Sequence, residues 1–340
     1  MRRYLLLLLL LLTYPLEAVI DSSIVPVMDY YHSSKHIDCK KYAKTQYKAI
    51  LDALSIKEGS FRVISYNMLF DRYDHLLAKP YRWNARLPRL IEIIDDMHAD
   101  IICFQELYPD QLEDLMEKIG NEFGFAGTLT EKSQDAAEIN GIFYRKKRFD
   151  CQRHQKLYIS ETPSLASSDP FSNEPRTLIE GHFIDKITKK ELAVFCTHAA
   201  FGSADSREYA ARFIANHLEP LAKEKAVILA GDFNSFPPHV DDPYVPFYDG
   251  NYMLKIITSK SLDDAREVSL VGSVGPVSTY TNSEGSILPF QGTGTPGVLL
   301  DHIFVGGPIL VLITGVQPAQ VDGMYASDHM PVIADCIVTK

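Results

Sequence analysis

The sequence has little of what marks a disulfide-stapled or zinc-binding protein. Its five cysteines form no Cys-x-x-Cys pair and show no Cys/His spacing typical of zinc sites. Cys103, Cys196 and Cys336 lie in apolar runs, where cysteine usually serves as a small buried hydrophobe. Cys39 and Cys151 could pair in an oxidising compartment, and the sequence does not decide whether they do. No disulfide framework is therefore predicted.

Long apolar runs are also scarce, and the one that is present lies at the N-terminus. A short basic start, Met1-Arg2-Arg3-Tyr4, precedes an unbroken leucine run from Leu5 to Leu12. This run is too short for a membrane span, which needs about 20 apolar residues. The layout is typical of a secretory signal peptide over residues 1–18, with cleavage after Ala18. We therefore expect an exported protein, secreted or periplasmic, with no stable membrane span.

Basic residues are in deficit. The 34 lysines and arginines face 44 aspartates and glutamates, which gives a formal net charge of -10. An acidic chain does not attract polyanions without sequence preference, so tight non-specific nucleic-acid binding is disfavoured. The run Arg145-Lys146-Lys147-Arg148 resembles a nucleic-acid patch, but we expect a solvated turn between two strands. The charge balance is compatible with a site that holds a divalent cation.

Internal repeats are absent, and the leucine run is the only low-complexity segment. With 340 residues and 46% hydrophobic content, the chain can form one large globular unit or two modest ones. No linker composition interrupts residues 58–340, which predicts a single domain there. Residues 19–57 are predicted to form an N-terminal extension, partly helical because apolar residues recur at helical steps over 36–54.

From Phe61 onward, short apolar runs alternate with helical patterns. Strands are predicted at 62–66, 100–104, 139–144, 178–184, 192–196, 226–229, 300–305 and 332–338. Helices are predicted at 86–97, at 109–119 with Asp110 as its cap, and at 206–221 with Pro220 at its end. Long loops are predicted at 160–176, 235–252 and 271–297. This alternation predicts a layered α/β fold with mixed sheets.

Polar side chains follow or adjoin most of the predicted core strands. Strand ends in a layered sheet converge on one edge, where ligands commonly bind. The set predicted to assemble at that edge is Asn67, Glu106, His198, Asp232, Asn234, Asp301, Asp328 and His329. Each residue also has an ordinary structural explanation, such as a turn at a strand exit or a satisfied core histidine. Their shared placement at strand ends is what favours a functional site.

The residue types in this set suit metal-assisted phosphate chemistry. Mg²⁺ prefers oxygen ligands and is commonly held by one or two carboxylates plus substrate phosphate. Glu106 is the leading candidate ligand, with Asn67 and Asp328 in support. A carboxylate partner orients a histidine, and Asp301 with His329 offers such a dyad. An acid between Leu300 and Ile303 would be costly to bury without a partner, which makes Asp301 the strongest single signal.

The remaining candidates have roles in handling water and phosphate. Asp232 and Asn234 could position the attacking water in line with the phosphate. His198 could donate a hydrogen bond or a proton to the phosphate.

Seven blocks in order carry a resemblance to a known family. They are SYNMLFD at 65–71, DIICFQEL at 100–107, EINGIFYRKKRFD at 138–150, FCTHAAFGSADSREYAARFIANHL at 195–218, VILAGDFNSFP at 227–237, LDHIFV at 300–305 and SDHMPVIADC at 327–336. Together they resemble the endonuclease/exonuclease/phosphatase superfamily, whose fold is similar to deoxyribonuclease I. The resemblance implies a four-layer α/β/β/α sandwich with two central mixed β-sheets. It also implies that 58–340 is a metal-dependent catalytic domain.

The resemblance also implies roles for individual residues. Glu106 matches the metal-binding glutamate, Asn67 matches the strand-end asparagine, and Asp328 matches the acid near the histidine-aspartate dyad. The other matches are Asp232 and Asn234 for the water-positioning pair, Asp301 and His329 for the dyad, and His198 for a histidine of the nuclease, deadenylase and sphingomyelinase branches. Arg176 is expected to contact substrate phosphate, and Glu138 is the candidate acid partner of His198. His302 departs from the family pattern, so its role is left open.

The sequence thus predicts an exported Mg²⁺-dependent hydrolase of phosphate esters, with a phosphodiesterase as the leading hypothesis. Mn²⁺ is the alternative metal to Mg²⁺. Nucleic acid, phospholipid head group and inositol phosphate compete as substrates. The net charge and the aromatic, proline-rich stretch at 236–252 favour a small or lipid-borne one. Alternatives are a secreted nuclease, a sphingomyelinase-like or inositol-phosphatase-like enzyme, and a catalytically silent binding protein of the same fold. No obligate protein partner is indicated.

Overall fold

The fold is given by a computed structural model that describes residues 59–128, 138–235, 252–275, 278–280 and 299–339. The predicted signal peptide, the predicted helical extension and Cys39 lie outside the described residues. So do nearly all of the aromatic, proline-rich stretch at 236–252 and most of the predicted loop at 271–297. No helix among the described residues is long and apolar enough to cross a membrane.

The first of two large sheets carries the N-terminal and C-terminal strands of the described chain. Its order is β10-β12-β15-β1-β2-β4-β3. The strands are β1 (Phe61–Asn67), β2 (Ile101–Leu107), β3 (Phe123–Ala126), β4 (Ile139–Arg145), β10 (Ser273–Val274), β12 (Ile309–Val316) and β15 (Val332–Val338). Strand β1 is parallel to β2 and antiparallel to β15, so the sheet is mixed.

The second large sheet has the order β5-β6-β7-β8-β11-β9. Its strands are β5 (Phe149–Tyr158), β6 (Thr177–Asp185), β7 (Glu191–His198), β8 (Ala226–Asp232), β9 (Asp263–Asp264) and β11 (Asp301–Gly306). Strands β7 and β8 are parallel, whereas β11 is antiparallel to β8. A short hairpin of β13 (Gln320–Val321) and β14 (Met324–Tyr325) stands apart from both sheets.

Helices cover the outer face of each sheet. They are α1 (Trp83–Met97) and α2 (Pro109–Ile119) on the first sheet and α3 (Ala204–Glu224) and α4 (Tyr252–Thr258) on the second, whereas the short α5 (Ala265–Val268) contributes Ala265 to the core between the sheets. Because successive strand residues point to opposite faces, β1 sends Val63 into the core between the sheets and Ile64 into the core under α1 and α2. A third core packs α3 and α4 on the second sheet. The predicted four-layer α/β/β/α sandwich is confirmed.

Several details of the predicted elements were wrong. The N-cap of α2 is Tyr108, and Asp110 lies inside the first turn. Helix α3 continues past Pro220 to Glu224, because Leu221 and Ala222 still pack on the core below. Strand β5 was missed because it is an edge strand whose polar residues face solvent.

The basic run at 145–148 forms the turn between β4 and β5, as predicted. Arg148 pairs with Asp185 and donates to backbone carbonyls, and Arg145 donates to Ala99 O and pairs with Glu122. These contacts give Arg145 and Arg148 structural partners at the turn.

A buried ion pair joins β1 to β15. Arg62 Nε and Nη2 donate to the two carboxylate oxygens of Asp335 at 2.7 and 3.0 Å, and Arg62 Nη1 donates to Met97 O. Asp335→Ala removes the carboxylate that faces the buried Arg62 guanidinium, so we expect a loss of about 3–5 kcal/mol in the free energy of unfolding. Urea unfolding measures it. The double variant Arg62→Met/Asp335→Leu is expected to lose less, and a loss below about 1 kcal/mol in Asp335→Ala would contradict the prediction.

Candidate active site

Two of the parallel strand pairs, β1 with β2 and β7 with β8, end at the same edge of the sandwich. In the first sheet Asn67 is opposite Gln105, and in the second His198 is opposite Asp232. Strand β11 runs the other way, so its first residue, Asp301, is also opposite Asp232. Residues far apart in the chain are thus brought to one place by strand register.

Asn67 connects the two sheets at this edge. Its Nδ2 donates to Glu106 Oε1 at 2.9 Å and to Asp232 Oδ2 at 3.0 Å, and its Oδ1 accepts from Leu69 N. The side chain is fully buried. Asn67 therefore holds two carboxylates of different sheets at a fixed separation.

Glu106 adopts a backbone conformation that is rare for a non-glycine residue. Its φ is 60°, and the pairing of β2 with β4 shifts between Phe104 and Leu107. Such strained conformations persist where the surroundings enforce them and are concentrated at functional sites. The carboxylate also accepts a hydrogen bond from Phe70 N at 3.2 Å. The bulge therefore aims Glu106 away from the sheet and into the edge site.

Burial is the main influence on the Glu106 carboxylate. It raises the pKa of Glu106 to about 7; His198 opposes the rise, and Asp328 adds to it. A nearby cation would stabilise the ionised form of this buried carboxylate, because it offsets the cost of burying the negative charge. Asp328 lies close enough to act on Glu106 electrostatically. Its Oδ1 accepts from Ser327 Oγ at 3.3 Å.

His329 and Asp301 form a buried dyad. His329 Nδ1 and Asp301 Oδ2 are 2.7 Å apart, and His329 Nε2 is 3.7 Å from Asp232 Oδ2. Burial opposes protonation of the imidazole, but the carboxylates of Asp301 and Asp232 outweigh it and raise the pKa of His329. The Nδ1 contact orients the ring, which leaves Nε2 to act in the site.

The segment that carries His329 is tethered to the end of β1. His329 N donates to Ser327 Oγ at 3.1 Å, and Ser327 Oγ donates to Asn67 O at 2.7 Å. The dyad and Asn67 therefore share one rigid support.

Asp232, Asn234 and His198 form the second half of the site. Asn234 N donates to Asp232 Oδ1 at 2.9 Å, and Asn234 Nδ2 donates to Ala199 O at 3.0 Å. Asn234 Nδ2 also lies 3.1 Å from His198 Nε2. Asn234 has a φ of 46°, in the left-handed region that asparagine tolerates better than most residues. This turn fixes the amide next to both Asp232 and His198.

Glu138 is the acid partner of His198. Glu138 Oε1 is 2.7 Å from His198 Nδ1, and Asp232 Oδ2 is 3.5 Å from His198 Nε2. Burial lowers the pKa of His198, yet the Glu138 and Asp232 carboxylates overcome it and raise the value to about 9. The raised pKa favours the imidazolium form, which can donate a charged hydrogen bond to a phosphate.

Replacing Glu138 by glutamine removes the largest contribution to the raised pKa of His198. We expect the pKa of His198 in the metal-free protein to fall from about 9, measured by NMR titration of the histidine ring protons. The pKa of His198 in the folded protein exceeds its reference value of 6.5, so protonation of His198 stabilises the folded protein. This contribution to the free energy of unfolding is complete below about pH 6.5 and is lost as pH rises through about 9. In Glu138→Gln the folded-state pKa lies closer to 6.5, so this contribution is smaller and is lost at a lower pH. Glu117→Gln, an exposed substitution on α2, is the control, and an unchanged His198 titration in Glu138→Gln would contradict the prediction.

Arg176 is found behind this pair. Its Nη1 lies 3.4 Å from Glu138 Oε2 and its Nη2 lies 3.0 Å from Glu174 Oε2, and its side chain is only 13% exposed. The structure therefore gives Arg176 a contact that positions Glu138. The predicted contact with substrate phosphate stays a prediction.

Arg86 is a further support of the site that the sequence did not predict. Arg86, on α1, donates through Nη1 to Met68 O and Ala326 O and through Nη2 to Leu69 O, at 2.6, 3.0 and 2.8 Å. It clamps the chain after Asn67 to the chain before Asp328. An arginine in an amphipathic helix pattern normally faces solvent, so the sequence carries no signal for this role.

The open question of His302 is resolved by its contacts. His302 Nδ1 is 3.0 Å from Asp264 Oδ2, and its Nε2 is 3.3 Å from Ser235 O. Neighbouring strand residues point to opposite faces, so His302 lies behind Asp301 rather than beside it. It supports the turn that follows Asn234.

The residues at this edge fit a divalent metal ion by their chemistry. Glu106, Asn67 and Asp328 supply hard oxygen atoms. A cation would stabilise the ionised form of the buried Glu106 carboxylate. A second group, Asp232, Asp301 and His329, places one ligand atom from each residue within 4.8 Å of the others, all buried. That group could also bind a metal, although sequence reasoning assigned its members to catalysis alone.

The sandwich and its edge define a class of enzyme that hydrolyses phosphoric esters with buried carboxylates, histidines and a metal. The profile of the endonuclease/exonuclease/phosphatase family matches residues 64–329. The chain therefore belongs to the endonuclease/exonuclease/phosphatase family, whose members are metal-dependent phosphoric ester hydrolases. The predicted family is confirmed.

Relatives of known sequence span only part of this chain. Protein angel of Drosophila melanogaster is 25% identical over 240 residues, which are 66% of this chain and 66% of that protein. The CCR4-Not complex 3'-5'-exoribonuclease subunit Ccr4 of Yarrowia lipolytica is 30% identical over 106 residues, 26% of this chain and 15% of that protein. The chain thus spans about two thirds of the first protein and a small part of the second.

Solved structures match over most of the chain. A family member from Bacteroides vulgatus has a TM-score of 0.69 at 23% identity, covering 82% of this chain and 99% of its own. The mannosyl-6-phosphatase of Bacteroides thetaiotaomicron has a TM-score of 0.67 at 26% identity, with the same coverage. TDP2 of D. rerio, solved with a single-stranded DNA product, has a TM-score of 0.58 at 16% identity and covers 82% and 98%. The first and third of these show the fold alone.

Proposed function

We propose that this protein is an exported, Mg²⁺-dependent phosphodiesterase. The observation that carries the proposal is the buried His329–Asp301 dyad, whose free imidazole nitrogen faces Asp232 beside the Asn67–Glu106 pair. Two oriented histidines and a carboxylate pair held by one asparagine form a site for a doubly esterified phosphate.

The chain's own residues divide the work. His329 and His198, both with raised pKa values, donate hydrogen bonds to the phosphate oxygens. Asp232 accepts a hydrogen bond from the attacking water, and Asn234 holds Asp232 in place. Glu106, Asn67 and Asp328 would hold the metal, which when bound neutralises charge on the phosphate.

Support for export comes from residues 1–18, a basic start followed by a short leucine run. Expression of the full chain in a host that secretes proteins tests it. N-terminal sequencing of the exported product is expected to begin at Val19. Retention of the intact chain inside the cells would contradict export without affecting the proposed chemistry.

A comparison of a diester with a monoester tests the reaction type. Purified protein with Mg²⁺ is expected to hydrolyse bis-p-nitrophenyl phosphate with a higher kcat/KM than p-nitrophenyl phosphate. Glu106→Ala is the inactive control. The reverse preference would favour a phosphomonoesterase, the activity named for the mannosyl-6-phosphatase of similar fold. Hydrolysis of neither ester would contradict the proposal.

A further inference from the structure

Three aromatic rings lie together beside Glu106, on the segments that follow β1 and β2. Phe70 packs against Tyr73 and Tyr108, with ring centroids 5.4 and 5.8 Å apart. We call Phe70, Tyr73 and Tyr108 the aromatic shelf. None of the three belongs to the buried core, and the Tyr73 side chain is 51% exposed.

The backbone under the shelf is firmly anchored. Phe70 N donates to Glu106 Oε2 at 3.2 Å, so the shelf begins at the proposed metal ligand. The preceding carbonyl, Leu69 O, accepts from Arg86 Nη2 and Gln111 Nε2. On the far side, Asp74 accepts from Trp83 N. The exposure of Tyr73 is therefore a property of a fixed surface.

A positive charge borders the shelf on the side of the site. The Arg72 guanidinium hydrogen-bonds the Tyr108 hydroxyl. Tyr108 follows Glu106 by two residues at the end of β2, which places its ring beside the proposed metal ligand. The shelf is thus continuous with the site and carries a cation in a chain of net charge -10.

An exposed aromatic ring beside two partly buried rings and a guanidinium offers a face on which a nucleobase can stack. We infer that the aromatic shelf binds the heterocyclic base of a nucleoside whose phosphodiester lies at Glu106 and His329. This inference rests on the proposed function, because the phosphate must occupy that site. The acidic chain favours short nucleotide esters over long polynucleotides, whose binding depends on many basic contacts.

Three phosphodiesters that share the same leaving group, p-nitrophenol, test the inference. They are thymidine 5′-(p-nitrophenyl phosphate), deoxyribose 5-(p-nitrophenyl phosphate) and methyl p-nitrophenyl phosphate. Purified protein with Mg²⁺ is expected to show a kcat/KM about tenfold higher for the thymidine ester than for the deoxyribose ester. Tyr73→Leu should abolish this difference while leaving methyl p-nitrophenyl phosphate hydrolysis unchanged. Tyr73→Trp should preserve the difference.

The control is Ile187→Ala. Ile187 is an exposed apolar side chain like Tyr73, but it lies in the turn before β7, whereas His198 lies at the far end of that strand. Equal rates for the thymidine and deoxyribose esters, both above the methyl ester, would assign recognition to the sugar and overturn the inference. So would a thymidine preference that persists in Tyr73→Leu. If the unsubstituted protein hydrolyses none of the three esters, the proposed function itself fails.

Discussion

His329→Ala is expected to lower kcat/KM for bis-p-nitrophenyl phosphate by about a hundredfold to a thousandfold, with the fold retained. The substitution removes an oriented hydrogen-bond donor to the phosphate, an effect typically worth 10²–10³ in rate. It also leaves Asp301, which is fully buried, without the imidazole at 2.7 Å. Steady-state kinetics with saturating Mg²⁺ measure the loss.

The control is His154→Ala, since His154 is an exposed histidine in the edge strand β5. It should retain full activity. Because Asp301 becomes an unpaired buried acid in His329→Ala, the conservative variant His329→Gln is measured beside it with circular dichroism. A folded His329→Gln with activity within tenfold of the unsubstituted protein would contradict the assigned role.

Glu106→Gln is expected to raise the Mg²⁺ concentration needed for half-maximal activity by more than about a hundredfold. Losing even an outer residue of a metal site typically costs 10–100-fold in affinity, and Glu106 is the proposed direct ligand. Titration of activity with Mg²⁺, and of metal binding by calorimetry, measures the change. Glu117→Gln, an exposed substitution on α2, is the control.

Stability separates this effect from misfolding. Glutamine keeps the shape of Glu106 but removes a buried negative charge whose burial is unfavourable. Metal-free Glu106→Gln should therefore unfold at a temperature no lower than the metal-free unsubstituted protein. Unchanged Mg²⁺ dependence in this variant would show that Glu106 does not hold the metal.

The layers and most strands could be predicted because they follow from short-range patterns. The runs of β1 and β2 are buried along almost their whole length and contain short apolar stretches, and the helix over 109–119 has its predicted bounds as α2. Strand β5 could not be predicted in this way, since its residues pair with β6 but mostly face water. Its existence depends on a partner distant in sequence.

The site divides in a similar way. Asp301 and His329 could be paired from sequence because each carries its own local signal, an acid or histidine beside a buried run. The roles of Arg86 and Arg176 depend on where three separate segments meet, which no local pattern records. Likewise, the left-handed backbone of Glu106 arises from a shift in strand register that the sequence does not reveal.

The most direct test of a metal-dependent site at Glu106 and His329 is reconstitution of the purified protein. Hydrolysis of bis-p-nitrophenyl phosphate is measured before chelation, after exhaustive chelation with EDTA, and after stepwise return of Mg²⁺. Activity should disappear with the chelator and return with Mg²⁺ in the unsubstituted protein, and it should not return in Glu106→Gln at the same Mg²⁺ concentrations. Full activity after complete removal of divalent metal would contradict the proposed site.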